Sequence, residues 1–326
     1  MSCKTAIITG VAGQDGSFLA ELLLEKGYKV VGVTLRHGTL VKYMNIDHLL
    51  VNKNFILSEG DIRDQTMVSR LAHDHKPHEW YNLAAMSHVG QSFREPLSTF
   101  DVDAMAVIGQ LEVIRQITPY TRFYQASTSE LFGGLECPKE GYTEDSKFHP
   151  RSPYGVAKLA AFWAVKNYRE AYGMFACNGI LHNHSSTRRG HDFATRKITR
   201  GVAKVRLGLE QVLKMGDLSA FRDEGHSKDY VRAMWMMLQS NDPKDYLVAT
   251  GSGATIRQML EYVCELAGLE FDQVYEMDER FMRPSEVPFL LGNPSKIMSE
   301  LGWEPEYSWK RLLKEMYDND ISDLRS

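Results

Sequence analysis

A strand-like run that breaks on glycines and restarts as an amphipathic helix constrains this chain more than any other feature. Lys4 to Ile8 has the texture of a buried strand. It runs into Thr9-Gly10-Val11-Ala12-Gly13-Gln14-Asp15-Gly16, and then into a helical stretch from Ser17 to Lys26. That stretch puts Phe18, Leu19, Leu22 and Leu23 on one face and ends at Gly27, a helix-capping glycine. Strand, glycine turn and helix in this order open a βαβ unit, which belongs to a parallel sheet covered on both faces.

The pattern continues along the chain. Lys29 to Leu35, Phe55 to Ser58, Glu79 to Ala84, Arg122 to Ser127 and Phe175 to Leu181 read as further strands. Between them, helices are predicted from about Thr99 to Gln116 and from Tyr154 to Ala171. The fold class predicted is therefore α/β: a Rossmann-type doubly wound parallel sheet with a second, smaller α/β domain. After about residue 180 the texture loosens into polar loops and short helices. The expected division is 1–180 for the Rossmann domain, with segments near 226–250 returning to it, and 181–326 for the smaller one. Polar clusters follow the predicted strand ends at Thr9-Gly10, Arg36, Asp61, Ser87, Thr128 to Glu130 and His182 to His184. In open α/β sheets that edge is where ligands sit.

Composition narrows the class. A formal net charge of −4, with 25% charged residues among 326, shows no basic excess, so no nucleic-acid partner is expected. The longest apolar runs, such as Leu19 to Leu24, are too short to span a bilayer, and no membrane association is expected. The chain enters a strand directly, without a cationic-then-apolar leader. Cys3, Cys137, Cys177 and Cys264 are scattered, as expected of reduced thiols in a cytoplasmic protein.

The glycine turn carries the first chemical expectation. Gly10, Gly13 and Gly16 allow backbone to approach a pyrophosphate, which then lies on a helix N-terminus among unpaired N–H groups. A site built for NAD would place a carboxylate at the end of the second strand. Here Thr34-Leu35-Arg36-His37 stands there, and Arg36 can grip a 2′-phosphate, so NADP is the expected cofactor. Asp61, before Ile62, is placed either to accept from the adenine amino group or to cap its own loop. Leu83-Ala84-Ala85 is small enough to lie against the dinucleotide.

The second expectation is catalytic. Tyr154 and Lys158 are four apart on one predicted helix and share a face. A tyrosine with a pKa near ~10 can act as a base near neutrality only after a drop worth about 4 kcal/mol. An ammonium ~4 Å away at an effective dielectric of ~20 supplies about that much. The preceding strand ends in Ser127-Thr128-Ser129-Glu130, where the Thr128 hydroxyl can share the proton path with Tyr154. Glu130 discriminates between reactions. Plain alcohol oxidation needs no carboxylate there, whereas a hexose dehydratase does. Once carbon 4 is a ketone, a carboxylate can remove the hydrogen of carbon 5 and then protonate the hydroxyl departing from carbon 6.

These motifs together resemble the GDP-mannose 4,6-dehydratases of the extended short-chain dehydrogenase/reductase group. The likeness rests on Thr9 to Ser17, Asn82 to Val89, Ser127 to Gly133, Arg151 to Lys158, Thr195 to Thr199, Gly225 to Val231, Arg283 to Val287 and Leu301 to Trp303. It implies Thr128, Glu130 and Tyr154 as catalytic residues, assisted by Lys158. For NADP it implies Gly10, Val11, Ala12, Gly13, Gln14, Asp15, Gly16, Arg36, Asp61, Ile62, Leu83, Ala84, Ala85, Ser87, Tyr154, Lys158, His184 and Arg189. For GDP-mannose it implies Ser87, Thr128, Asn183, Lys197, Arg222, Arg283 and Glu286, in a homodimer or homotetramer. The implied product is GDP-4-keto-6-deoxy-mannose.

The chain departs from that pattern at several points. The usual pair of arginines after strand two is Leu35-Arg36 here, followed by His37 and Gly38. Ser185 stands where the family carries a carboxylate, Glu224 where it carries a tryptophan, and Ser98 where it carries a tyrosine. Two other functions compete: an epimerase or 4-ketoreductase on the same fold, and a non-catalytic NADP-binding protein. Neither needs Glu130 beside Thr128. His73, His75 and His78 read as a solvated stretch, so no metal is expected. Met234, Met236 and Met237 read as core.

Overall fold

The computed structural model describes residues 3–35, 44–133, 135–281, 285 and 287–325. The strands are β1 (Thr5–Thr9), β2 (Lys29–Thr34), β3 (Phe55–Glu59), β4 (Glu79–Asn82), β5 (Arg122–Ala126), β6 (Ala176–Leu181), β7 (Asn183–Ser185), β8 (Leu213–Met215), β9 (Phe221–His226), β10 (Tyr246–Val248), β11 (Gly253–Thr255), β12 (Tyr275–Met277) and β13 (Phe289–Leu290). Seven form one sheet in the order β10-β6-β5-β4-β1-β2-β3, with every neighbouring pair parallel. The fold is the doubly wound α/β arrangement that the sequence predicts, and the strand order reverses between β1 and β4.

Alternation along the strands explains the layers. Ile8, Val30, Tyr81 and Tyr124 face one side, where they pack with Leu19, Leu23, Met234 and Met237. Their neighbours Ile7, Val31, Trp80 and Phe123 face the other, against Val68, Leu111 and Val165. Strands buried on both faces read as continuous apolar runs, which is why they were legible. The helix Ser227–Gln239 packs against the helix Gln14–Glu25, and β10 extends the sheet beside β6.

The remaining strands form a sheet of β7, β9, β11 and β13 and a β8–β12 pair. Helices Ala194–Arg206, Ile256–Ala267 and Trp309–Arg325 enclose a separate core around Ile198, Leu260, Val263 and Leu313. Arg196 and Asp320, both buried, pair at 2.8 Å and tie two of these helices together.

Two local differences from the sequence reading matter for the site. The first helix begins at Gln14, three residues before the predicted start at Ser17, directly after the N-cap Gly13. The stretch expected as one helix from Thr99 runs instead from Pro96 to Ile117, with a π-helical turn at Asp101–Met105. No described helix is long and apolar enough to cross a membrane.

Candidate active site

The carboxyl ends of β1 to β6 open onto one cavity of about 1510 Å³. At its first end Gly10 adopts φ +72°, and a Cβ there would stand 2.9 Å from the Ala84 backbone nitrogen. At Gly16 a Cβ would come 2.3 Å from the Gly10 carbonyl oxygen. The two glycines thus let three backbone segments converge, and among the described residues no side chain caps the helix behind them. Its first N–H groups are left for an anionic ligand. Gly10→Ala is expected to cost about 1–3 kcal/mol of stability through the left-handed φ and the Ala84 clash, and to weaken dinucleotide uptake. Thermal unfolding and a binding titration check this; no change in either would contradict it.

Gly10, Gly13, Gln14, Asp15, Gly16, Asp61, Ile62, Leu83, Ala84, Ala85 and Ser87 all line this end. Val11 and Ala12 do not. Val11 is fully buried and its N–H donates to the Val33 carbonyl at 3.1 Å, while the Ala12 carbonyl accepts from Asn45 at 3.0 Å. Arg36 lies outside the described residues. Asp61 is held by a cation the sequence reading passed over. Arg63 donates to it through Nη2 at 2.6 Å and Nε at 3.0 Å, which keeps the carboxyl below its ordinary value. Arg63 lines the cavity as well.

Deeper in, Thr128 follows β5, and its hydroxyl accepts from the Glu130 N–H at 3.2 Å, shaping the turn that presents Glu130. The helix Pro153–Tyr172 is capped by Ser152, which accepts from the Gly155 N–H at 3.0 Å, with Pro153 in its first position. That start places Tyr154 in the first turn and Lys158 one turn on. Thr128, Glu130, Tyr154 and Lys158 all line the cavity, and Tyr154 hydrogen-bonds Thr128.

The electrostatics differ from the expected picture. Lys158 spends its ammonium on the Ala126 carbonyl at 3.0 Å and lies 5.8 Å from the centre of the Tyr154 ring. Burial pushes the Tyr154 phenol well above its ordinary value, and the Asp103 and Glu130 carboxyls push it the same way. The Thr128 hydrogen bond and the Arg189 charge pull it back. Burial also lowers the Lys158 ammonium, against Asp103. Burial and these neighbouring charges therefore bear on the Tyr154 phenol more than Lys158 does. Asp103 went unnoticed in the sequence because an acid on a helix reads as solvated. It is fully buried in the π-helical turn, accepting from the Met86 N–H at 2.8 Å.

At the far end, Asn183, His184, Arg189, Lys197 and Arg222 line the cavity. His184 bridges Asp15, at 2.8 Å, and stacks on Tyr230 with ring centres 4.2 Å apart. Lys197 lies over the Phe281 ring at 4.6 Å, and Arg222 donates to the Val287 carbonyl at 2.8 Å. Arg283 and Glu286 lie outside the described residues. Two further wall residues are His182, which the sequence places in a strand-end polar cluster without a role, and Glu224. His182 is a buried imidazole lowered to about 3 by burial and by Arg222. Among the described residues no cluster of His, Cys, Asp and Glu could hold a metal ion.

Comparison with known proteins adds to this geometry. Residues 7–316 match a protein-family model described as GDP-mannose 4,6 dehydratase. The chain is 46% identical to a GDP-mannose 4,6-dehydratase of Vibrio cholerae, over 98% of this chain and 94% of that one. It is also 46% identical to GDP-mannose 4,6 dehydratase 2 of Caenorhabditis elegans, over 98% and 89% respectively. Among solved structures, the UDP-glucose 4-epimerase of Thermus thermophilus in complex with NAD matches with a TM-score of 0.84. That match has 26% identity and covers 97% of this chain and 98% of that one.

Proposed function

We propose, from the premise that this chain belongs to the GDP-mannose 4,6-dehydratase family, that it removes water from GDP-mannose to give GDP-4-keto-6-deoxy-mannose with a nicotinamide dinucleotide, NADP. The observation that carries this reading is a carboxylate, Glu130, beside the Thr128–Tyr154 hydrogen bond in one cavity. An epimerase built on the same fold has no use for it.

The residues of the first end suit a dinucleotide, because the space at Gly10 and Gly16 is space that a Cβ would fill. NADP is favoured over NAD by the absence of a carboxylate at Thr34-Leu35, by Arg36 in the sequence, and by Arg63 beside Asp61. A bound nicotinamide supplies an acceptor for the hydrogen of carbon 4 and a donor of the same hydrogen to carbon 6. All other steps fall to side chains.

Tyr154, through Thr128, takes the proton of the 4-hydroxyl. With carbon 4 a ketone, Glu130 removes the proton of carbon 5 and gives it to the hydroxyl leaving carbon 6 as water, so one carboxyl serves as base and then as acid. As carbon 6 is reduced, a solvent-derived proton adds to carbon 5 and Tyr154 releases to solvent the one it took. Glu130 ends in the state in which it began. Lys197 and Arg222, with Arg283 in the sequence, offer the charge that a diphosphate needs. On this reading 1–180 with segments near 226–250 carry the dinucleotide, and the rest of 181–326 carries most of the sugar nucleotide contacts.

The test is conversion of GDP-mannose by purified protein with NADP supplied in less than molar equivalence to sugar. The expected result is a product lighter by one water, in excess over NADP. Unchanged GDP-mannose, or one dinucleotide consumed per sugar, would contradict it.

A further inference from the structure

The cavity wall between Asp15 and Tyr154 holds two polar side chains that take no part in the proton steps above, Glu224 and the Arg189 that the resemblance implies for NADP. Glu224, on β9 opposite Asn183 of β7, is 3% exposed. Ser185 hydrogen-bonds its carboxyl, but among the described residues Oε1 has no partner, and it has no access to bulk water. Arg189 lies over the Phe193 ring, its guanidinium carbon 3.7 Å from the ring centre, and its Nε–H is likewise buried without a partner. Both side chains line the cavity. Arg189 stands within electrostatic reach of Glu224, Asp15 and Tyr154.

Folded proteins seldom leave a buried donor or acceptor unmet, and here one of each occurs in the same corner. The corner has a definite address. Asp15 belongs to the turn that cradles the dinucleotide, and Tyr154 to the place where hydrogen is exchanged. A dinucleotide with its pyrophosphate at that turn would bring its ring end between them. A group that satisfies both unmet atoms must accept one hydrogen bond and donate another. A primary carboxamide does both, since its oxygen accepts and its NH₂ donates.

We propose that Glu224 and Arg189 together read the carboxamide of the nicotinamide ring, Arg189 donating to its oxygen and Glu224 accepting from its NH₂. The pair thereby fixes which face of the ring turns toward Tyr154. The proposal rests on the dinucleotide reading of the preceding subsection. Both unmet atoms are closed off from solvent, so in this assignment the Arg189 and Glu224 side chains each rotate to meet an entering ring. Glu224 supplies the discrimination. A carboxylate in place of the carboxamide has no hydrogen to offer Glu224.

Calorimetric titration of the wild type and of Glu224→Gln tests this, with NADP⁺ and with its nicotinic-acid analogue, in which a carboxylate replaces the carboxamide. The wild type is expected to bind the acid analogue about 30-fold more weakly than NADP⁺, the scale of a lost hydrogen bond to a charged group. In Glu224→Gln, which offers an NH₂ to that carboxylate and keeps Arg189, the gap is expected to close to about threefold or less. A gap of equal size in both proteins overturns the proposal and leaves the dinucleotide reading standing. Should the variant fail to fold by circular dichroism, the wild type decides alone with the 3-acetylpyridine analogue, which keeps the carbonyl and lacks the NH₂. About tenfold weaker binding supports the assignment; binding equal to NADP⁺ overturns it. A wild-type chain that takes up no NADP⁺ overturns both readings.

Discussion

Replacing Glu130 with glutamine stops the loss of water, with turnover falling about 10²–10⁴-fold while NADP uptake stays unchanged. The substitution keeps the shape of the side chain and removes its ability to accept a proton. Glu130 is partly buried at the turn that Thr128 caps, and its field acts on Tyr154, so it stands at the reacting end of the cavity. The dinucleotide turn at Gly10 to Gly16 belongs to the other end. The variant should therefore bind cofactor and sugar nucleotide and stall after carbon 4 is oxidised. Product analysis by NMR, alongside a cofactor titration, separates the two effects. Near-normal release of deoxy sugar from the glutamine variant would remove Glu130 from the proton path.

Tyr154→Phe is expected to lower turnover by a similar factor, about 10²–10⁴-fold, but at the earlier step. Its signature lies in pH. The phenol is raised above its ordinary value by burial and by the Asp103 and Glu130 carboxyls, so it is protonated near neutrality. The active phenolate fraction then grows as pH rises. Wild-type kcat/KM should climb with pH at a slope of about one until that group titrates. The phenylalanine variant should lose this climb along with its activity. A wild-type profile falling between neutral and mildly alkaline pH would contradict the assignment.

Both effects depend on a fold whose scaffold was readable in advance, for a physical reason. Strands such as β1 and β2 are buried on both faces, so their residues must be apolar throughout, and a run like Ala6-Ile7-Ile8 has few other uses. The glycine turn was legible because Gly10 and Gly16 occupy places where any side chain collides with backbone. What escaped were features created by tertiary contact. The π-helical turn at Asp101–Met105 leaves no periodic trace in sequence, yet it puts Asp103 where it bears on Tyr154 and Lys158.

The site was legible as a set of residue types more than as a set of charges. Spacing placed Tyr154 and Lys158 on one helix face, but it could not show that Ala126 claims the ammonium. Nor could it show that Arg189 is the cation pulling the phenol down. Val11 and Ala12 share the glycine motif, but a turn exposes some of its residues and buries others, and the Val11 N–H bonds the Val33 carbonyl of β2. Glu224 was visible only as an unusual residue. Its meaning depends on β7 lying beside β9, a pairing between segments some 40 residues apart in sequence.

The most direct test follows the hydrogen on carbon 5 when wild-type protein turns over GDP-mannose in heavy water. The account predicts one deuterium at carbon 5 of the keto-deoxy product, because the proton that Glu130 removes goes to the departing hydroxyl and a solvent-derived one takes its place. A product that retains the original hydrogen at carbon 5 throughout would contradict it.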